Sequence, residues 1–119
     1  RKDTRMTHNH ASKDMQHCIE NCQACASTCL AMATNHCLKE GGMHVEQIHF
    51  RTMLDCAEIC QTAANFMLRN SSLHTDVCRV CAAVCAECAR SCEQVGDMDE
   101  CVKACQNCAE SCRKMANGI

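Results

Sequence analysis

Cysteine recurs along this chain in strides of three and four residues, and it does so in four separate stretches. Met15, Cys18, Cys22, Cys25, Cys29, Met32 and His36 make one row, and His49, Met53, Cys56, Cys60, Ala63 and Met67 a second. His74, Cys78, Cys81, Cys85, Cys88 and Cys92 make the third; Met98, Cys101, Cys105, Cys108, Cys112 and Met115 make the fourth. Residues three and four apart share one helix face, so each row is the a/d seam of a coiled coil or helix bundle. In an ordinary bundle those positions hold Leu, Ile and Val. Here they hold thiols.

Chain punctuation agrees with four helices. Gly41-Gly42, Asn70-Ser71-Ser72, Gly96-Asp97 and Asn117-Gly118 are the clear breaks, and no proline interrupts the segments between them. Those segments are rich in Ala, Glu, Gln, Met and Arg, which favour helix. The pattern predicts helices near 12–39, 44–69, 73–95 and 98–116. Gly96 closes the third, and Asp97 with Glu100 reads as a capping box for the fourth. The expected fold is all-α, an antiparallel up-down-up-down four-helix bundle with a cysteine-lined core. It occupies 11–119 as one domain, behind a flexible N-terminal segment, RKDTRMTHNH (1–10).

Composition decides what can fill that core. Leu, Ile, Val and Phe together number 17 of 119 residues, against 16 Cys. A seam of small side chains leaves a bundle axis under-packed, so something is expected to fill it. A net charge of −2, with no Trp or Tyr, argues against a nucleic-acid binder that tracks phosphates or stacks bases. No apolar run approaches the ~18 residues of a membrane span. Residues 1–18 carry charges and histidines with no apolar h-region, and thiols on this scale need a reducing setting or a bound metal. The expectation is a cytoplasmic protein, with export or a periplasmic home open if a leader was removed before Arg1.

Four readings of the thiol seams compete. Buried Cys acting as a small hydrophobe explains one or two such residues, not fifteen on matching seams. Disulfides within a helix are hindered by parallel side-chain vectors, although cross-helix bridges remain open on oxidation. The bacterial ferredoxin run needs a proline this chain lacks, and structural zinc prefers separate tetrahedral sets of four ligands. Cu(I) is soft and accepts two- or three-coordinate thiolate and thioether surroundings. Thiolates that bridge neighbouring ions would let a column of Cu(I) run down the axis, approaching roughly one ion per thiolate. Metal and sulfur then supply the missing volume and cancel each other's charge. Copper fits best. A Zn(II) or general thiolate buffer and a single-ion copper chaperone stand as the alternatives.

The ends of the seams differ from their middles. One end of the expected bundle collects Met32, His36, Cys37, His49, Met53, Cys92 and Met98, with Met43 and His44 in the linking turn. The other collects Met15, Met67, His74 and Met115. Neutral thioether and imidazole donors hold Cu(I) less tightly than thiolate, which suits a way in and out. His36, His49 and Met98 read as ligands; Met15, Met67 and Met115 read as core filler, and His74, His8 and His10 as solvated. Cys37 stands one residue off its seam. No carboxylate pair, Ser/His/Asp set or phosphate-cradling loop rises above background, and a seam thiol is the opposite of an exposed nucleophile, so no enzyme is expected.

HCIENCQACASTC (17–29), DCAEIC (55–60), CRVCAAVCAECARSC (78–92) and CVKACQNCAESCRKMA (101–116) together resemble the copper storage protein family, over nearly all of residues 15–116. The resemblance implies a homotetramer of four-helix bundles that fills its core with Cu(I). By matching position it implies metal ligands at Cys18, Cys22, Cys25, Cys29, Cys56, Cys60, Cys78, Cys81, Cys85, Cys88, Cys92, Cys101, Cys105, Cys108 and Cys112. Some members carry a histidine-rich turn where this chain has Val95-Gly96-Asp97-Met98-Asp99-Glu100, and some carry a cysteine in place of His49. Those departures bear on the chemistry of the mouth. Ile48, Ile59, Phe66, Val77, Val80 and Val84 lie off the thiol seams and offer a surface for neighbouring chains.

Overall fold

The computed structural model describes residues 12–117. The segment 1–10 expected to be flexible, with His8 and His10, lies outside the described residues. Helix α1 spans Lys13–Ala31 and continues through a π-helical stretch, Met32–Cys37, into a last α-helical turn, Leu38–Glu40. A 3-10 turn, Gly42–Val45, leads into α2, Gln47–Leu68. Helix α3 is His74–Val95 and α4 is Asp99–Ala116. Each helix packs on its neighbours in sequence and α1 also packs on α4, which closes an antiparallel up-down-up-down ring. No helix among the described residues is long and apolar enough to cross a membrane.

Local chemistry sets the ends of the helices. The Ser12 hydroxyl accepts from the Met15 amide at 3.1 Å and starts α1. Helix α4 carries Asp99 and Glu100 in its first turn and Arg113 and Lys114 in its last, in the sense the helix dipole favours. Helix α2 begins later than 44, because Glu46 caps it. Its two carboxylate oxygens accept from the Ile48 and His49 amides at 3.0 and 2.9 Å.

Two expectations change here. The capping box at Asp97 does not form: the residue before α4 is Met98, which provides no side-chain cap. Gly96 and Asp97 instead turn the chain with successive φ angles of 84° and 56°, a left-handed geometry that Gly adopts freely and Asp tolerates. The Asp97 carbonyl thereby reaches across to accept from His36 Nε2 at 3.1 Å. The second change is in α1, where the regular seam stops at Cys29. A π-helical stretch carries an extra residue per turn, so the buried positions become Ala33 and Cys37 rather than Met32 and His36. Thr34 Oγ1 and Asn35 Nδ2 donate to the Leu30 and Ala31 carbonyls at 2.7 and 2.9 Å, and these bonds take up acceptors beside the widened turn.

The core follows the seams. All sixteen cysteines are fully buried, and the two largest fully buried side chains are Met53 and Met98. Ala26, Ala57, Ala82, Ala89 and Ala109 flank them and let the helices approach closely.

Candidate metal centre

The four helices aim their thiols at one axis. Cys18 and Cys112 stand 3.6 Å apart, Cys22 and Cys112 3.5 Å, and Cys60 and Cys85 3.4 Å. Opposite helices also meet: Cys56 lies 3.8 Å from Cys105 and Cys60 3.7 Å from Cys108. Within single helices the i,i+4 pairs Cys25–Cys29, Cys56–Cys60, Cys81–Cys85 and Cys108–Cys112 face each other at 3.9–4.0 Å. Every one of these thiols is free.

These contacts assemble into overlapping sets of sulfurs, each set lying within 4.8 Å of one another. Cys18, Cys78 and Cys112 form the first set; Cys112 belongs also to the next, with Cys22, Cys81 and Cys108. Cys81 and Cys108 recur with Cys60 and Cys85, which recur with Cys25 and Cys56, which recur with Cys29 and Cys105. The result is a ladder in which each rung shares at least one sulfur with the next. Separate tetrahedral ions would compete for those shared sulfurs, whereas bridging ions use them.

The sulfur network splits its own proton affinities. Cys60 is held well above the ordinary thiol range, first by its hydrogen bond with Cys108, while Cys18 is drawn below it by hydrogen bonding from Cys112.

The mouth is where α1 ends and α2 begins, and it has different chemistry. Cys37 Sγ lies 3.7 Å from Met53 Sδ, 3.8 Å from Met98 Sδ and 3.8 Å from His44 Nδ1. Burial pushes the Cys37 thiol up to about 11, with the charges of Cys101 and Cys88 adding to it. His44 packs edge-on against His36, ring centroids 5.1 Å apart. His36 is half-buried, and its Nε2 is turned to Asp97 rather than to the thiols. His49 is 3% exposed; its Nδ1 meets Ser91 Oγ at 2.7 Å, and its Nε2 is buried with no partner. Burial lowers the His49 pKa, with His44 adding to the effect. A neutral imidazole that donates from Nδ1 to Ser91 keeps a bare lone pair on Nε2, the state a metal needs.

Of the nineteen side chains read from the sequence as ligands, the structure buries all but His36, and Met98 joins Cys37 at the mouth. Cys88, Cys92 and Cys101 are buried on the seams between the ladder and that mouth. Sequence reasoning placed Met53 and His44 at this end without naming either as a ligand, and it missed Ser91. Met53 stood on its seam level with the mouth, which was a usable signal; nothing in the sequence pairs Ser91 with His49. At the far end Met67 and Met115 are buried, Met15 is partly buried, and His74 Nδ1 lies 2.9 Å from the Ser71 carbonyl.

A helical ring closed around a column of free thiols is a container for soft metal ions. The chain belongs to the copper storage protein family, whose model matches residues 11–117. A crystal structure from Nitrosospira multiformis superposes with a TM-score of 0.89 at 54% identity, covering 92% of this chain and all of that one. The cytosolic copper storage protein of Streptomyces lividans, solved with five coppers, superposes at 0.81 and 30% identity over 90% of this chain and 95% of that one. A cysteine-rich protein of Bacillus subtilis, YhjQ, is 37% identical over 63% of this chain and 68% of its own length.

Proposed function

We propose that this chain stores Cu(I), many ions per molecule, as thiolate-bridged metal along the bundle axis. One observation carries the reading: the thiol sets share sulfurs from rung to rung, which suits bridging ions and frustrates isolated ones. The copper-loaded Streptomyces relative supports it. Proposed ligands are Cys18, Cys22, Cys25, Cys29, Cys37, Cys56, Cys60, Cys78, Cys81, Cys85, Cys88, Cys92, Cys101, Cys105, Cys108 and Cys112, with His49 and Met98 at the mouth. His36 acts at the rim.

The burial of every thiol supports storage rather than catalysis, and the same burial tells against a chaperone that must present one exposed site. The sixteen free thiols and the cytosolic relative support a home in a reducing compartment. Association into a homo-oligomer, a tetramer by family likeness, is supported by outward-facing Ile48 and Val80, 72% and 53% exposed. Light scattering of the apo protein in solution tests the oligomer. Copper-edge X-ray absorption of the loaded protein tests the store: the reading predicts sulfur neighbours and a copper–copper shell. Copper with sulfur neighbours alone would contradict the bridged arrangement.

A further inference from the structure

Among the described residues the core buries two polar side chains, His49 at the mouth and Ser111 beside the opposite end of the sulfur ladder. Ser111 is 5% exposed and sits on α4 one residue before Cys112. Its Oγ accepts from Asn21 Nδ2 of α1 at 3.2 Å and donates to the Cys108 carbonyl at 3.2 Å. Asn21 Nδ2 also reaches the Asn107 carbonyl at 3.5 Å, so its amide is clamped between two acceptors of α4. The Ser111 hydroxyl stands close enough to Cys18 to favour that residue's thiolate. On its outer side Asn21 borders an open groove of about 280 Å³ that Ser111 and Lys114 also line.

Packing does not call for a hydroxyl at this place. The buried positions that flank the seams elsewhere are Ala26, Ala57, Ala82, Ala89 and Ala109, and Ala104 stands one heptad before Ser111 on the same stripe. Ser is a poorer helix former than Ala, because its side chain competes for backbone groups. The neighbouring rung supplies a reason for it. Cys18 and Cys78 belong to a single sulfur set, the one they form with Cys112, whereas Cys112 belongs to two. A thiolate shared along the ladder divides its charge between two ions. A thiolate at the end cannot, so three of them around a monovalent ion leave excess negative charge in a buried place. Beyond that rung the core offers Met67 and Met115, whose thioethers have no proton to donate.

We infer that Ser111 is a positioning residue for the terminal copper–thiolate rung: its hydroxyl, oriented by Asn21, turns from the Cys108 carbonyl to donate to the Cys18 sulfur when that rung carries Cu(I). This rests on the storage reading and adds to it the residue that closes the ladder at the end away from the mouth. Asn21 sets the direction, because its donation occupies one lone pair of Oγ and leaves the hydroxyl proton to point into the bundle. A carbonyl is a neutral acceptor and a thiolate a charged one, so the proton turns to the sulfur. The hydrogen bond does for an unshared thiolate what a second ion does for a shared one. Without it the terminal rung holds copper less firmly, and rungs built on shared sulfurs are unaffected.

The test uses the reduced chain labelled with carbon-13 at the cysteine β carbons, loaded with Cu(I) under anaerobic conditions and then challenged stepwise with a competing chelator. In the loaded parent the Cys18, Cys78 and Cys112 resonances are displaced from their apo positions. In S111A the chelator concentration that returns Cys18 and Cys78 halfway to apo falls by at least about tenfold, as loss of one hydrogen bond to a charged group requires. Cys60 and Cys85 stay within about twofold of the parent, since their sulfurs are shared between ions. S111T keeps the hydroxyl and recovers the parent's retention at Cys18 and Cys78. N21A, at a water-facing position, leaves the hydroxyl unoriented and costs about threefold, the scale of a neutral hydrogen bond. Parent-like retention in S111A, an equal loss at Cys60 and Cys85, or a folded S111T no better than S111A would overturn the role of Ser111 and leave storage standing. Parent-like retention in N21A would overturn the part given to Asn21, and Cys18 and Cys78 resonances unmoved in the loaded parent would overturn the terminal rung. A parent chain that takes up only a few ions would instead defeat the storage reading itself.

Discussion

The interior and the mouth of this bundle solve opposite problems with neighbouring side chains. Twelve cysteines, from the Cys18 rung to the Cys29–Cys105 rung, form a run of shared sulfurs with no carboxylate or imidazole in any of its sets. At the mouth a single thiol, Cys37, stands among two thioethers and an imidazole, with a second imidazole, His49, buried nearby on α2. Thiolates that bridge hold many ions; neutral donors hold one ion loosely. On the proposed function, capacity and exchange are separated along the bundle axis, and packing follows the same division. The interior is built of small side chains, while the mouth carries the two largest fully buried residues, Met53 and Met98.

The largest effect expected from that contrast is on stability with and without cargo. Each ion at a hundredfold its dissociation constant adds about 2.7 kcal/mol to the folded state. Several such ions should raise the thermal midpoint by more than about 20 °C, since one kcal/mol moves a domain of this size by roughly 4 °C or more. Circular dichroism melts of apo and loaded protein measure it. The apo form should already be helical, and a coil that folds only with metal would break the idea of a preformed container.

Next comes packing. Met53→Ala should cost the apo protein about 3 kcal/mol by leaving a cavity, whereas Met53→Leu should cost less than about 1.5. Cys85→Ala in the interior removes one atom and should cost only about 1 kcal/mol. Urea denaturation compares the three, and equal losses would erase the difference in packing between the two regions.

A pH series separates the regions from each other and from their loaded states. Cys37 is raised from the ordinary thiol value of 9.0 to about 11, chiefly by burial. Cys101 is pulled down by hydrogen bonding with Cys29 but raised overall, by Cys92 and burial, to about 12. A raised acid is more stable protonated in the folded state. Its contribution is therefore complete below pH 9 and is lost as pH climbs through 11 and 12. Apo protein should lose stability over that window. Copper-loaded protein should not, because its thiols have already surrendered their protons. At neutral pH the same protonation means that loading releases protons, which a weakly buffered titration detects.

The smallest effect concerns the register of α1. Replacing Thr34 and Asn35 together by Ala removes the two side-chain bonds beside the π-helical stretch, a change worth about 1 kcal/mol. A regular helix there would carry Cys37 off the seam. Alkylation of Cys37 by iodoacetamide should quicken in that variant, with the ladder thiols unaffected.

Much of this was legible beforehand, and the reasons it stopped are physical. The seams of α2, α3 and α4 read correctly because their helices are regular, so a period near 3.6 carries Cys56, Cys85 or Cys108 onto one face. Cys37 read as off the seam for the same reason in reverse: the period changes at Met32, and nothing in MATNHC announces a widened turn. Asp97 looked like a helix cap by local rule, but the carbonyl it offers to His36 comes from a tertiary fit between α1 and the turn before α4. The thiol ladder was implied by spacing; its shared rungs needed the cross-helix distances. Pairing of His49 with Ser91, forty-two residues apart, belongs to the same class of information.

The most direct measurement is an anaerobic titration of the fully reduced chain with Cu(I), read against a chromogenic chelator that competes for the free ion. Thiolate-bridged storage predicts a break well above about eight ions per chain, approaching the number of cysteines. A break at about one to four ions per chain would contradict it and make the bundle a separate-site zinc-type buffer or a carrier.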